Sequence, residues 1–556
     1  MLRKLYKIIF FTLLGLIILL AGATWWLLDN TEEILLDQIN INANKDSLRM
    51  YDVSVEDIDL DLYQGDLAVY NFRAIPRKEF IVNREKKPTA VFDIEAPEVV
   101  LKDFNILGYV FRGNIQFDGF VTFAPKGKLY LTGVKKENRT RSKSPVEQLS
   151  TDKFPIINIH NILISQADVD LVWVPDSSVI LDIDSLNFNL RDIKMDSSTI
   201  KEPIPFHVDG FTLNILGFEG DLMKYHKIKT GRIMYHDLNE TLEIDNIQLI
   251  PKYTQKQYHE MIGYQSDWFA LTVEALKVHG FDITKYAEDN QIYIDQIEVA
   301  KPNALIQRDR NVDLPPYKFK ALPVSQIKGM PIDLNVREVK VNGARVEYNE
   351  QSTRNIGPGK IFFSDMDVSV KNVTNNSEAI AADKVMALNA NAKLMGEGNI
   401  RLKMDFDLSQ DDDRFFADGQ LDTMNFAALN PLTENLLLVH LDSGLAQRMQ
   451  FQFIANEDSA VGRMSFAYRN LHITAFKESK SGDFQRMGLI NNLANTFMKT
   501  KNVQGRKFQE GRIAFRRKKD RYLFNYLGKC IQTGLVETVV PPGEKKLFKI
   551  DGSLIK

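Results

Sequence analysis

The stretch Val336–Tyr348, with the sequence VREVKVNGARVEY, decides the fold because it pairs strict alternation with a turn signal. Asn342-Gly343 lies between two alternating runs, and a type I′ hairpin turn needs positive φ at both of its central residues. A turn at this dipeptide places the apolar side chains of both strands on one face. That face carries Val339, Val341, Ala344 and Val346, and the opposite face carries Lys340 and Arg345.

The same spacing of apolar positions returns elsewhere in the chain. The copies are Ile159, Ile162, Ile164, Ala167 and Val169; Val273, Leu276, Val278, Phe281 and Ile283; and, more loosely, Ile294, Ile297, Val299, Pro302 and Ala304. In the best pair of copies the following strands, 183–190 and 363–370, are also alike. We interpret the pattern as an irregular repeat of β-hairpins, none of which can bury its apolar face alone. Any large antiparallel sheet could give such matches by chance, but a three-residue step breaks the alternation at the same place in each copy, which favours a repeat.

Length and composition exclude several classes of protein. A chain of 556 residues is too long for one compact core, so we expect several domains or an extended repeat. The 70 basic and 73 acidic residues give a net charge of −3, which is not a nucleic-acid-binding footprint. The single cysteine, Cys530, excludes an intrachain disulfide and any multi-cysteine metal site.

An uncharged apolar run occupies residues 8–28, which is long enough at 1.5 Å per residue to cross a hydrocarbon core of roughly 30 Å. Basic residues precede this run and acidic residues follow it, so the positive-inside rule places the N-terminus in the cytoplasm and the rest of the chain across the membrane. The alternative is a cleaved signal peptide, because Ala21-Gly22-Ala23 resembles a cleavage site. Trp25-Trp26 and two leucines prolong the apolar run past that site, which favours an uncleaved anchor.

The chain after the anchor changes from helical to alternating patterns. We predict a juxtamembrane amphipathic helix over 29–48, N-terminal β repeats over 49–330, C-terminal β repeats over 331–480 and a helix-strand-helix cap over 481–556. The predicted fold class is mainly β: an elongated, curved antiparallel sheet of repeated hairpins with one N-terminal transmembrane helix and short C-terminal amphipathic helices.

The C-terminal region carries a specific order of motifs. They are Leu429-Asn430-Pro431-Leu432, then Ser443-Gly444, then the alternating strand 449–454, then Gly462, Met464, Phe466, Tyr468, Leu471 and Ile473 at fixed spacing. This order resembles the C-terminal region of the AsmA-like family of membrane-anchored envelope proteins. The resemblance implies a repeating β-groove anchored in the inner membrane, with the bulk of the chain in the periplasm. It also implies a role in moving phospholipid toward the outer membrane or in outer-membrane assembly.

No motif in the sequence carries catalytic chemistry. The phosphate-binding loop, the Gly-x-Ser-x-Gly elbow, the His-Glu-x-x-His zinc motif and the dinucleotide fingerprint are all missing from it. The eight histidines are scattered singly. We therefore predict no catalytic residue, no metal site and no cofactor, and we expect a protein that is not an enzyme.

A long antiparallel sheet must cover its apolar face or use that face to bind something. Curling into a groove would let the face hold acyl chains while the polar face meets water. The predicted lipid-groove lining is Ile162, Ile164, Val169, Leu276, Val278, Phe281, Ile283, Val339, Val341 and Val346. Our leading hypothesis is a non-enzymatic protein that holds or conducts phospholipid between the two membranes and supports outer-membrane biogenesis. The alternative is a periplasmic scaffold for outer-membrane protein assembly or secretion, in which the same residues form a closed core and a partner protein binds the C-terminal end.

Overall fold

Alternation of apolar and polar residues produces strands throughout the part of the chain that the computed structural model describes. That part comprises residue 44 and residues 50–61, 64–82, 90–103, 115–131, 157–174, 178–196, 207–221, 223–283, 285–286, 290–351, 357–478, 484–486, 498–541 and 550–554. The predicted anchor at 8–28 lies outside the described residues, as does nearly all of the predicted juxtamembrane helix at 29–48. Among the helices of the described residues, none combines the length and the apolar character needed to cross a membrane.

The described residues contain 24 strands, and their pairing is mainly antiparallel. The first twelve are β1 (Tyr51–Ser54), β2 (Asp57–Asp61), β3 (Asp66–Pro76), β4 (Ala90–Lys102), β5 (Ile115–Phe123), β6 (Lys126–Leu131), β7 (Ile157–Trp173), β8 (Ser178–Met195), β9 (Gly210–Gly220), β10 (His226–His236), β11 (Thr241–Pro251) and β12 (Asp267–His279). The second twelve are β13 (Gln291–Ala300), β14 (Asn303–Asp309), β15 (Asp333–Gln351), β16 (Gly359–Thr374), β17 (Val385–Leu394), β18 (Gly398–Asp407), β19 (Phe415–Leu421), β20 (Met424–Asn425), β21 (Val439–Ala455), β22 (Ser459–Glu478), β23 (Phe484–Arg486) and β24 (Gly511–Arg516).

Helices are few and mostly short in the described chain. They are α1 (Lys78–Val82), α2 (Gln255–Ile262), α3 (Pro323–Lys328), α4 (Ser377–Ala382), α5 (Asn430–Leu437) and α6 (Leu523–Val539), with 3-10 turns at Asp237–Asn239 and Phe426–Leu429. The prediction of a mainly β fold is therefore confirmed. Of the predicted helix-strand-helix cap over 481–556, the strand and the second helix are present as β24 and α6.

The chain divides into two compact units. The first comprises the described residues up to Ile247 together with Phe281–Gln291, and the second comprises Gln248–Gly280 and the described residues from Ile292 onward.

Within the first unit, β4 pairs antiparallel with both β5 and β6, these two pair parallel with β7, and β7 pairs antiparallel with β8. Within the second unit, β12 pairs antiparallel with β13 and β14, β14 pairs parallel with β15, and β15 pairs antiparallel with β16.

The two arrangements are copies of one another, down to the register. Corresponding pairs include Ala90↔Leu131 with Asp267↔Arg308, Leu131↔Trp173 with Arg308↔Glu350, and Ile162↔Leu190 with Val339↔Val370. We call β4–β8 the first copy and β12–β16 the second copy. The predicted equivalence of 159–190 and 336–370 is correct, and it extends backward to β4 and β12.

The prediction of a hairpin turn at Asn342-Gly343 is wrong, because β15 continues through this dipeptide. The ladder to β16 shifts register on both sides of Ala344, so the dipeptide lies in a β-bulge. Gly343 has φ +66°, and its N–H donates to Asp367 Oδ1 at 2.9 Å. The hairpin that contains this stretch is β15–β16, and its connection lies after Gln351.

The first copy has the same bulge in β7. Gln166 has φ +54°, and its N–H donates to Asn187 Oδ1 at 3.0 Å. A bulge and a two-residue hairpin both need positive φ, so the Asn-Gly signal identified the backbone conformation and not the topology.

Two further breaks in the strand pattern lie at Gly280 and at Lys301-Pro302. β12 ends at His279, and Gly280 follows it with φ +75°. The looser copy at 294–304 is a single broken strand whose halves, β13 and β14, both pair with β12. The break is at Lys301-Pro302 and matches Ala124-Pro125 between β5 and β6. Proline suits such a break because it has no N–H to contribute to a ladder.

The C-terminal end of the second unit has a closed core beneath α6. Buried side chains there are Met404, Phe406, Phe415, Phe453, Met464, Phe515, Tyr526 and Cys530. The Tyr526 ring lies 6.2 Å from Phe415 and 6.1 Å from Phe515, between centroids. A Cβ at Gly511 would lie 2.3 Å from the Gly534 carbonyl oxygen, so glycine is what allows α6 to approach β24 this closely.

Candidate functional site

The apolar face of the second copy and its neighbour β17 is the candidate site. We call it the second-copy face and define it by its half-buried side chains: Leu276, Val339, Val341, Val346, Val368, Val370, Leu388 and Ala390. Within the second unit these positions form rows across adjacent strands, because side chains opposite each other on neighbouring strands share a face.

One row begins at Val339, which lies opposite Val370, which lies opposite Leu388. A second row contains Val341, Val368 and Ala390. Four strand spacings from β12 to β17 make the face roughly 19 Å wide, compared with ~15 Å for half of a bilayer's hydrocarbon core.

The first of these rows becomes buried at its far end. Leu388 is half-buried, but the next residue in the row, Met404 on β18, is 1% exposed, and Ala417 beyond it is fully buried. Along this row of cross-strand neighbours, the side chains therefore change from half-buried on β17 to fully buried in the closed core beneath α6.

The reverse face of the same strands is charged and internally paired. Glu338 accepts hydrogen bonds from Ser369 Oγ at 3.0 Å and forms an ion pair with Lys340 at 3.3 Å. Glu347 forms ion pairs with both Arg345 and Lys360 at 2.9 Å. Partial burial acts to raise the pKa of the Glu347 carboxyl, but hydrogen bonds from its neighbours, Lys360 first, hold this pKa below its ordinary value.

Polar groups border the second-copy face at one end of its strands. Arg308 forms an ion pair with Asp267 at 2.8 Å. Tyr348, two residues beyond Val346, donates its hydroxyl to Glu350 at 2.9 Å, and burial raises the pKa of this phenol. These residues give the apolar face a defined polar edge.

The equivalent surface of the first copy is closed. Ile162 is 3% exposed and Leu190 is 7% exposed, and both belong to a continuous core that includes Leu67, Val69, Leu101, Phe117 and Phe120. The segment Phe281–Ile283 packs against this core. Tyr235 donates its hydroxyl to the Phe281 carbonyl at 3.0 Å, and its ring centroid lies 5.0 Å from that of Phe211.

The ten predicted lining residues fall into two groups, one in each unit. Ile162, Ile164, Val169, Phe281 and Ile283 are in the first unit, and all but Val169 belong to its core or pack against it. Leu276, Val278, Val339, Val341 and Val346 are in the second unit, where Val278 is buried and the other four contribute to the second-copy face. The structure adds Val368, Val370, Leu388 and Ala390. The alternation of 363–370 was a usable signal for the first two of these.

No protein-family model matches this sequence, and no curated protein matches it either.

Proposed function

We propose that this protein is a non-enzymatic envelope protein that holds or conducts phospholipid, with acyl chains lying on the second-copy face. Headgroups would remain at the polar edge or in water. In this proposal residues 8–28 anchor the chain in the inner membrane, the bulk of the chain is periplasmic, and the transfer supports outer-membrane biogenesis, as the resemblance to the AsmA-like family implies.

The observation that carries the proposal is a consistent loss of side-chain volume between the two copies. Where the first copy and β9 have Ile162, Leu190, Phe211, Phe188 and Leu213, the second copy and β17 have Val339, Val370, Leu388, Val368 and Ala390. Each replacement is smaller. All five second-copy residues are half-buried, whereas Ile162, Leu190 and Phe211 are buried and only Phe188 and Leu213 are half-buried in the first unit. Apolar surface that a sheet leaves uncovered favours an apolar ligand.

Photocrosslinking in cells tests this function. A photoreactive amino acid at Val341 or Val368 of the full chain should give phospholipid adducts. The matched controls are Lys340 and Ser369, which are adjacent in sequence and opposite each other in the ladder but lie on the charged face. We expect several-fold more lipid adduct at the two valines. Equal labelling on the two faces would contradict the proposal.

The alternative function is a scaffold for outer-membrane protein assembly or secretion. The closed core of the first unit favours it, since the residues of that core pack against one another. A scaffold whose partner binds the C-terminal end should give no phospholipid adducts at Val341 and Val368.

A further inference from the structure

The second unit displays a cluster of large apolar and aromatic side chains on its surface. We call it the aromatic–lysine surface and define it by Leu314, Tyr317, Lys318, Phe319, Lys320, Tyr522 and Phe524. The Phe524 side chain is 83% exposed, that of Tyr317 71% and that of Leu314 69%. Several exposed apolar and aromatic side chains of this size on two neighbouring segments indicate an interaction site.

Two distant segments form this surface by lying side by side. The Lys320 N–H donates to the Lys519 carbonyl at 2.8 Å. Lys320 Nζ lies 3.0 Å from the Tyr522 hydroxyl and 4.6 Å from the centroid of the same ring. Phe524 follows on the first turn of α6.

A buried arginine holds the surface in place. Arg517 is 5% exposed, and its guanidinium donates to the carbonyls of Lys320 and Arg521, the latter at 3.3 Å. The guanidinium also lies 6.0 Å from the Phe319 ring centroid. The Arg517 guanidinium therefore joins both segments and fixes the backbone that carries the aromatic side chains.

The chemistry of the surface fits a lipid headgroup region better than a protein partner. Tyrosine and phenylalanine beside lysine are typical of side chains at a membrane–water interface. In the adjoining segment Arg516–Arg521, RRKKDR, Arg516 and Lys518 are exposed, and Lys518 forms an ion pair with Asp551. Lysine is depleted at the centres of protein–protein interfaces, but it is attracted to anionic lipid.

We propose that the aromatic–lysine surface inserts into the headgroup region of a bilayer that contains anionic phospholipid. This inference goes beyond the proposed function and does not rest on it, because the surface would bind a membrane whether or not the second-copy face carries lipid.

A fluorescence experiment on the full chain, held in phosphatidylcholine nanodiscs, tests the proposal. Gly528 on α6 is exposed and a Cβ there meets nothing within 4 Å, so Gly528→Cys offers a labelling site one turn from Phe524. The native Cys530 is fully buried, and burial raises its pKa to about 12, so a thiol-reactive probe will not label it at neutral pH. An environment-sensitive probe at Leu437→Cys, an exposed position on α5, is the control.

Vesicles of phosphatidylglycerol and phosphatidylcholine should shift the probe at position 528 to shorter wavelength and leave the probe at 437 unchanged. Vesicles of phosphatidylcholine alone should have little effect at either position. Tyr317→Ser with Phe524→Ser should weaken vesicle binding at least roughly ten-fold, and Lys318→Glu about five-fold or more at low salt. The paired control Met261→Ser with Leu437→Ser removes two exposed apolar side chains elsewhere and should bind as the unmodified chain does.

Three outcomes would overturn the proposal. They are an unchanged spectrum at 528 with anionic vesicles, equal binding by the two pairs of serine variants, and a probe response that depends on protein concentration without vesicles. The last outcome would assign the surface to a second copy of the chain.

Discussion

The first and second copies have the same strands and, apart from an extra register shift at Leu171/Val172 in the first, the same register, yet one forms a closed core and the other a half-buried face. Ile162 on β7 and Val339 on β15 occupy equivalent positions. Ile162 is 3% exposed, whereas Val339 is half-buried. Backbone topology therefore does not determine whether the apolar face is covered. Side-chain volume and the segment that packs over the face do.

The first copy fills its interior with aromatic rings and a chain segment. Rings of Phe188, Phe211, Tyr235 and Phe281 follow one another at centroid distances of 5.0 to 6.3 Å. At the positions of Phe188 and Phe211 the second copy and β17 have Val368 and Leu388. Smaller side chains fill less of the space over the face, and Val368 and Leu388 are half-buried.

The largest expected difference between the copies comes from a buried charge. Ile162→Asp should destabilise the first copy by about 3–5 kcal/mol, because the carboxylate has no partner in a closed core. Val339→Asp should destabilise the second copy by only about 1 kcal/mol, since the half-buried side chain can reach water. Urea unfolding of the full chain, followed by ¹⁹F NMR of 5-fluorotryptophan, separates the copies because Trp173 lies on β7 and Trp268 on β12.

Equal losses of unfolding free energy in the two copies, reported by Trp173 for Ile162→Asp and by Trp268 for Val339→Asp, would contradict this comparison. It would mean that the second-copy face is a core in solution. A useful control is Lys340→Asp on the charged face, which should affect neither signal by more than about 0.5 kcal/mol.

Adding side-chain volume should also destabilise the first copy more than the second. Leu190→Trp overpacks a closed core and should destabilise the first copy by about 1–3 kcal/mol. Val370→Trp, at the equivalent position, should change the stability of the second copy by less than about 0.5 kcal/mol, because the half-buried side chain already reaches solvent. The same urea titration measures both.

If the second-copy face carries lipid, Val370→Trp should also reduce the phospholipid adduct formed by a photoreactive residue at Val368. Unchanged adduct in a stable variant would mean that lipid does not lie over this row.

The sequence predicted the class of fold, the repeat and the facing of the valines, because alternation is a local property and register follows from it. It did not predict that Asn342-Gly343 lies within one strand. The partner that stabilises the bulge, Asp367, is on the next strand, and nothing local distinguishes such a bulge from a turn.

The partial exposure of the second-copy face was equally inaccessible to pattern reasoning. Alternation reports which residues share a face but not what covers that face. Phe281 was predicted to line a groove, but it belongs to a segment that packs against the first unit's core, a contact made far from its own position in the chain. Comparing side-chain volumes between the two repeats would have been the one usable signal.

The bulge itself offers a smaller difference between the copies. Gly343 and Gln166 occupy the same position with positive φ, and glycine adopts this conformation without the steric cost that glutamine bears. A Cβ at Gly343 would meet only Lys301 Cγ, at 3.5 Å, so Gly343→Gln tests backbone strain alone. We expect this change to destabilise the second copy by about 0.5–1 kcal/mol.

The reverse change, Gln166→Gly, should stabilise the first copy by a similar or smaller amount, because glycine also adds entropy to the unfolded chain. Changes of the same sign in the two copies would show that the bulges are not equivalent in energy. The Trp173 and Trp268 signals again report each copy separately.

The smallest expected difference is in how the two copies respond to acid. Partial burial, with smaller contributions from Asp170, Asp184, Asp168 and Glu219, raises the pKa of the first copy's Asp182, so its protonated form is favoured on folding. The first copy should therefore gain stability as pH falls from that raised pKa toward the unfolded value of about 3.9. Glu347 has a lowered pKa, so the second copy should lose stability as pH falls below about 4.3 toward the folded pKa. Asp182→Asn and Glu347→Gln should each remove the corresponding pH dependence from the urea midpoint of its own copy, and a midpoint that still changes with pH after either substitution would assign the effect to other carboxylates.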